Sequence, residues 1–341
     1  MKRPYAMIAG TGHATPKRAM SNHDFAAIGV DTSDEWIRER TGIGQRYVAA
    51  EGETLTSISV EAARQAMAAA GVTAAELDAI LLGTASPDRL LPATAVEIQA
   101  ALGATRAVAF DLSAACSGWL YASQVAEGLM ATGGYETILV IGAELLSRII
   151  NWQDRNTCVI FGDGAGATIM KRSTKGRGVL SAYMRSDGTL ADLLQRAKGG
   201  AAFPSTPEVL AEGSDKITMA GREVFKNAVR SMADASDRAL DGAKLSAADI
   251  DLMIPHQANI RIIEATAKHA GIPLEKVFVN VDRFGNTSAA SIPIALDEAM
   301  RSGRIPEGSL VMFVAFGAGL DRKSTRLNSS HVSEYRMPSS A

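Results

Sequence analysis

From Trp119 through Leu120, Ala122, Val125, Ala126 and Leu129 to Met130, apolar residues recur at three- and four-residue spacing, and the run stops at Gly133 and Gly134. That period predicts a helix with one buried face and a glycine stop. Just upstream, AVAFDL at 107–112 is an apolar run of strand length. The chain then repeats itself. Residues 72–86, VTAAELDAILLGTAS, read almost position for position like 245–259, LSAADIDLMIPHQAN. The run CSGWLYASQVAEGLMATG from Cys116 matches NTSAASIPIALDEAMRSG from Asn286, with Met130 on Met300 and Gly133 on Gly303. Each copy is followed by a β-rich apolar run, ETILVIGAE at 136–144 and GSLVMFVAFGAG at 308–319. Alternating strand and helix patterns predict α/β layers, and the duplication predicts two pseudo-symmetric halves sharing a core.

Composition leaves this picture intact. Of 341 residues, 47% are hydrophobic and 21% charged, which is ordinary for a globular chain with ample core material. A formal charge of −2 removes any global electrostatic footprint for nucleic acid. The apolar stretch near the N-terminus breaks at Gly10, too short for a signal-peptide core, and no window reaches membrane-span length. Cys116 and Cys158 are the two cysteines, with neither metal-ligand nor disulfide spacing, which fits a reducing cytoplasm.

Chemistry collects where the halves differ. Cys116 falls at the junction between the AVAFDL strand and the helix, where unpaired backbone N–H groups favour a thiolate and can hold an oxyanion. In the second half, His256 takes the place of Gly83, and Asn286 is aligned with Cys116. A thiol, an imidazole and a carboxamide form a coherent set. The thiol can accept an acyl group from a thioester, while the other two donate hydrogen bonds to an oxygen that becomes negative. Cysteine proteases also combine Cys, His and Asn, but in different sequence contexts.

Six ordered segments carry a resemblance: TSDEWIRERTGI at 32–43, DLSAACSGW at 111–119, FGDGAGA at 161–167, MAGREVFK at 219–226, PHQANIRI at 255–262 and GNTSAASIPIALDEA at 285–299. Over residues 1 to about 320 the chain resembles β-ketoacyl-acyl-carrier-protein synthase III, a condensing enzyme of the thiolase superfamily. The resemblance implies a five-layered αβαβα fold of two duplicated halves, 1–173 and 174–320, usually as a homodimer. It implies that Cys116 is acylated by acyl-coenzyme A, and that His256 and Asn286 stabilise the enolate formed as malonyl-acyl-carrier protein loses carbon dioxide. The carbanion then attacks the acyl-enzyme in a Claisen condensation. By the same resemblance the backbone N–H groups of Cys116 and Ala318 form the oxyanion hole. Trp36, Arg40, Arg155, Gly221 and Asn259 would contact coenzyme A, with Trp36 and Arg155 stacking on the adenine. Gln257, Ala258, Asn259, Ile260 and Arg261 would meet the carrier protein, and Leu91 and Pro92 would limit the acyl pocket across the dimer interface. No metal or cofactor is implied, nor a nucleic-acid or membrane partner.

Other signals carry less. FGDGAGA lacks the Lys-Ser/Thr of a phosphate loop and reads as tight strand packing. Cys158 lies in an apolar run and reads as core; His13, His23, His269 and His331 have no partner pattern. After Leu320 the chain reads DRKSTRLNSSHVSEYRMPSSA, without apolar periodicity. The expectation for 321–341 is an aberrant, disordered tail that lacks the family's last strand. Two alternatives therefore stay open: a related condensing enzyme of polyketide, alkylquinolone or long-chain ketone synthesis, and a truncated, inactive fragment that dimerises or binds carrier protein.

Overall fold

The computed structural model describes residues 5–173, 177–318 and 321–328. The first sheet is built from β1 (Tyr5–Ala14), β2 (Ala79–Gly83), β3 (Val108–Leu112), β4 (Thr137–Glu144) and β5 (Gly164–Ser173). Its order is β1-β5-β4-β2-β3, with β2 parallel to both β4 and β3, and β5 antiparallel to both β1 and β4. The second sheet uses β6 (Gly178–Arg185), β7 (Leu252–Pro255), β8 (Leu310–Gly317) and β9 (Asp321–Asn328) in the order β7-β8-β9-β6. Here β7 and β8 are parallel and the other two pairings antiparallel. Strands β6, β9, β8 and β7 thus repeat the order and directions of β1, β5, β4 and β2. The counterpart of β3 is reduced to one bridge between Val277 and Met253.

Helices fill the remaining layers. Helix α1 (Leu55–Ala70) and α2 (Thr94–Leu102) cover the outer face of the first sheet; α4 (Gly221–Ala243), with α5 (Ile260–Ala270) against it, covers the second. Between the sheets lie α3 (Gly118–Thr132) and α6 (Ser291–Arg301). The period from Trp119 to Met130 becomes α3, ended at Gly133 as the pattern predicts. Both helices of this middle layer pack against strands of both sheets. The rings of Trp119 and Phe313 meet edge-on at 5.4 Å between centroids, packed with Val140, Ile292 and Leu296. Burying each such side chain contributes about 1.5–3 kcal/mol.

The glycine loop serves that packing. A Cβ on Gly166 would sit 2.7 Å from the backbone of Pro293 and Ile294, so α6 can approach β5 only over glycine. Cys158 is buried, as expected, but ends a helical turn (Arg155–Cys158) rather than lying in a strand. His13 departs from its reading as partnerless. Its Nδ1 lies 2.6 Å from Asp297 Oδ2, and Asp297 also accepts from Thr11 and Arg301. His269 likewise faces Asp237 at 3.1 Å, and His331 lies outside the described residues.

The expected disordered tail needs correction over its first part. Asp321–Asn328 is a strand inside the second sheet, paired with β8 on one side and β6 on the other. The physical reason is that ladder hydrogen bonds come from the main chain, which every sequence carries. Without β9, both β8 and β6 would present open edges. The premise of a missing last strand, on which the inactive-fragment alternative stood, falls with it. Residues 329–341 lie outside the described residues.

Candidate active site

The nucleophile segment leaves β3 and enters α3 through a tight turn, Ala115–Ser117; Ser288–Ala290 makes the same turn before α6. Ala115 and Ser288 both hold positive φ, 43° and 48°, a backbone region that non-glycine residues occupy only when their surroundings enforce it. These turns set the structural register. Ala115 corresponds to Ser288 and Gly118 to Ser291, so Cys116 corresponds to Ala289 rather than to Asn286. The sequence match follows the ends of the two helices. The difference in length falls within them, since α3 has 15 residues and α6 has 11.

In this register the replacement of Gly83 by His256 acquires a cause. Gly83 lies directly against the Gly118 backbone, with no room for a side chain. At the equivalent contact in the second half, His256 Nδ1 lies 2.6 Å from Ser291 Oγ, where the first half has two glycines. His256 is buried, and burial pushes its pKa down to about 3, so the ring is neutral. With Nδ1 engaged by Ser291, Nε2 is the nitrogen left for a ligand.

Asn286 is set by its own turn. The Ser288 backbone N–H donates to Asn286 Oδ1 at 2.9 Å, so what the side chain offers the cavity is its NH₂. The Ser288 hydroxyl lies 3.0 Å from Oε1 of the fully buried Glu144, at the end of β4. That carboxyl also receives Ala85 N–H and the hydroxyls of Thr84 and Ser86, yet burial pushes its pKa up to about 7. Cys116 departs from the expected thiolate. Burial pushes its pKa up to about 12, outweighing the Ser288 hydroxyl and its own backbone N–H, so the resting group is a thiol. Ser291, Ser288 and Glu144 were not singled out in the sequence; the one signal for Glu144 was an acid closing the apolar run ILVIGAE.

A cavity of about 520 Å³ brings the expected residues together: Cys116, His256 and Asn286 at one end, with Trp36, Arg40, Arg155, Gly221 and Asn259 also on its wall. A smaller hollow of about 100 Å³ joins Cys116, Ser288 and Ala318. Gly317 makes this approach possible, since a Cβ there would stand 3.1 Å from Cys116 N.

Several expected roles change with the geometry. The guanidinium carbons of Arg40 and Arg155 lie 4.5 Å and 5.1 Å from the centre of the Trp36 ring. Arg155 therefore fills the place where a nucleobase would stack, and must leave its bond to Asp31 O to admit one. Asn259 caps α5, accepting from Arg261 N and donating to Arg40 O. Gln257 cannot meet a carrier protein: it is buried and bonded to Pro255 O, Phe278 O and Asn280 N. Ala258 and Ile260 are half-buried and Arg261 exposed, its guanidinium over Phe225. Leu91 and Pro92 are exposed and line neither cavity of the single chain, while the role expected of them lies across a dimer interface. Among the described residues no cluster of three or more His, Cys, Asp or Glu could hold a metal, and no helix is long and apolar enough to cross a membrane.

Residues 110–188 match the family described as 3-Oxoacyl-[acyl-carrier-protein (ACP)] synthase III, and residues 240–328 match its C-terminal part. The Beta-ketoacyl-[acyl-carrier-protein] synthase III of Symbiobacterium thermophilum is 52% identical over 313 residues, covering 92% of this chain and 94% of that protein. The protein of the same name from Roseiflexus castenholzii is 50% identical over 316 residues, covering 93% and 96%. The crystal structure of 3-oxoacyl-[acyl-carrier-protein] synthase III from Aquifex aeolicus VF5 superposes with a TM-score of 0.88 at 44% identity, covering 95% of this chain and 99% of that one.

Proposed function

The chain belongs to the β-ketoacyl-acyl-carrier-protein synthase III family, with its thiolase fold and its condensing acyltransferase activity at the initiating step of fatty acid synthesis; from that premise we propose how its own residues divide the work. Cys116 attacks the thioester carbonyl of a short acyl-coenzyme A, and coenzyme A leaves. The backbone N–H groups of Cys116 and Ala318 hold the oxyanion. Malonyl-acyl-carrier protein then enters, and its thioester oxygen accepts from His256 Nε2–H and the Asn286 NH₂ as carbon dioxide departs. The carbanion attacks acyl-Cys116 and releases the β-ketoacyl-carrier protein. The observation carrying this reading is the single cavity that Cys116, His256 and Asn286 share with Trp36, Arg40 and Arg155.

Neutral donors suit this chemistry. They stabilise an enolate without protonating its carbon, and no cofactor enters the balance. Ser291 gains a role here, because its hydroxyl donating to Nδ1 keeps the His256 proton on Nε2. Ser291→Ala is expected to slow condensation about tenfold while leaving acylation of Cys116 unchanged, a split read by timing the two half-reactions separately.

His256→Ala and Asn286→Ala test the assignment. Each should still acquire the acyl mass, while condensation falls by about 10²–10³-fold, the cost of one donor to a developing oxyanion. Loss of acylation in both variants would refute the division of labour.

The division at 173/174 into a nucleophile half and a donor half is part of this reading, as is a homodimer in a cytoplasmic setting. The dimer is supported by apolar exposure beside the open β3 edge: Leu90 is 84%, Leu91 87% and Val108 45% exposed. A partner copy covering this face is also how Leu91 and Pro92 would reach an acyl pocket. Arg261 is one of four exposed arginines at the cavity wall, with Arg40, Arg155 and Arg222, that could meet an acidic carrier protein.

A further inference from the structure

The mechanism above leaves one proton without a destination. Cys116 rests as a thiol, and its attack on a thioester releases H⁺ into a site where the thiol is only 8% exposed. His256 is a poor acceptor, since its Nδ1 is engaged by Ser291 and burial disfavours the imidazolium. The Asn286 carboxamide is not basic. Among the described residues around the nucleophile turn, one buried carboxyl remains. Glu144 ends β4 with Oε1 3.0 Å from the Ser288 hydroxyl, and that hydroxyl lies beside the Cys116 thiol in the small hollow. In the second sheet the position equivalent to Glu144 is Gly317, which packs against the Cys116 amide. The two strand ends thus flank the nucleophile turn and the donor turn, one with a carboxyl and one with bare backbone.

We infer that Glu144 takes the Cys116 proton through the Ser288 hydroxyl during acylation and returns it when the condensation product leaves. The inference rests on Cys116 being the nucleophile. In the first step the S–H proton passes to Ser288 Oγ as the Ser288 O–H proton passes to Glu144 Oε1. The sulfur lone pair forms the new C–S bond, and coenzyme A departs with the electrons of the old one. Coenzyme A thiolate takes its proton from solvent, which is the one proton that the overall condensation consumes. Glu144 stays protonated while the acyl-enzyme waits. When the carbanion attacks and the Cys116–acyl bond breaks, the leaving thiolate recovers its proton from Ser288, and Ser288 from Glu144.

The surroundings suit a carboxyl that changes protonation in place. From the loop after β2 come the Ala85 N–H and the Thr84 and Ser86 hydroxyls; from the turn before α6 comes Ser288, and from the turn before α3 comes Cys116. The charged groups of these segments point elsewhere: Asp88 accepts from Leu55 N and Thr56 N, Arg89 donates to Glu97, and Asp111, in the strand before the Cys116 turn, accepts from Thr94 N and Ala95 N. Of the ionisable groups on neighbouring segments, Arg148 bonds Ala50 O, Asp163 bonds Ser147 and Ala49, and His256 bonds Ser291. Burial places the Glu144 pKa at about 7, where it can both accept and release a proton near neutrality.

The test is the rate of coenzyme A release from acetyl-coenzyme A, without malonyl-carrier protein, across pH 5.5–9.5. For the unaltered chain the rate should rise about tenfold per pH unit below about 7 and then level off. Glu144→Gln keeps the shape but cannot take a proton. Its rate at pH 7.5 should fall about 10²-fold and keep rising with pH, with no plateau. If Glu144 were only an anion beside the thiol, its removal would make the thiolate easier to form. An equal or faster rate in Glu144→Gln therefore overturns the relay. Should that variant fail to fold, Ser288→Gly, which suits the positive φ, interrupts the same path and should lose the same plateau; keeping it would overturn the relay. Peptide mapping of the acylated unaltered chain separates the two levels: acyl on Cys116 with an unaffected Glu144→Gln rate refutes the relay alone, whereas acyl elsewhere refutes both.

Discussion

Cys116→Ala is expected to abolish both acylation and turnover, a loss on the order of 10⁴-fold or more. The side chain shares its cavity with His256 and Asn286, and among the described residues lining that cavity it is the one thiol, so no other group there can form a thioester. Cys158 is buried at the end of a separate helical turn and lines neither cavity around Cys116, so it cannot substitute. The effect belongs to chemistry rather than folding. Cys116 is partly wrapped by turn backbone, and a small apolar side chain preserves that packing. Binding of coenzyme A and the melting temperature should therefore stay close to those of the unaltered chain. A Cys116→Ala variant that still gains an acyl mass would contradict the assignment of the nucleophile.

The second large effect concerns the fold. Ending the chain after Leu320 is expected to destroy soluble expression, while ending it after Asn328 should give a folded protein. Strand β9 pairs through eight residues with β8 and through seven with β6. At roughly 1 kcal/mol net for each ladder hydrogen bond, its loss is comparable with the whole stability of a typical domain, about 5–15 kcal/mol. The damage also reaches the site, because β8 leads directly into Gly317 and Ala318 beside Cys116. A soluble, cooperatively melting chain ending at 320 would show that the second sheet closes without β9.

Much of this was legible in the sequence for definite physical reasons. The 3.6-residue period of Trp119 to Met130 had to bury one stripe, so α3 and its glycine stop could be read directly. The repeat was legible because both halves pack the same way against a shared middle layer, and Cys116, His256 and Asn286 stood out as reactive side chains at positions where the two halves differ. Other features were not legible. The register of the Asn286 turn was obscured by the differing lengths of α3 and α6, which shift the sequence match relative to the turns. Strand β9 was missed because its pairing depends on main-chain groups and neighbours far away in the chain, not on alternating side chains. The raised pKa of Cys116 followed from the depth of the site, which no local motif encodes. Ser288, Ser291 and Glu144 are common residue types whose meaning comes only from what faces them. The Ser291 contact follows from the structural register, in which His256 and Ser291 replace two touching glycines, Gly83 and Gly118.

Mass spectrometry separates the two steps, the acyl group held on Cys116 and the condensation driven by His256 and Asn286. Intact-mass spectra are taken after incubation with acetyl-coenzyme A, and again after malonyl-acyl-carrier protein is added, for the unaltered chain and for His256→Ala. One acetyl mass is expected on both proteins, mapped to the Cys116 peptide, disappearing rapidly from the unaltered chain and persisting on His256→Ala. An acetyl mass on another residue, or equally fast clearance from both proteins, would contradict this division of the two steps.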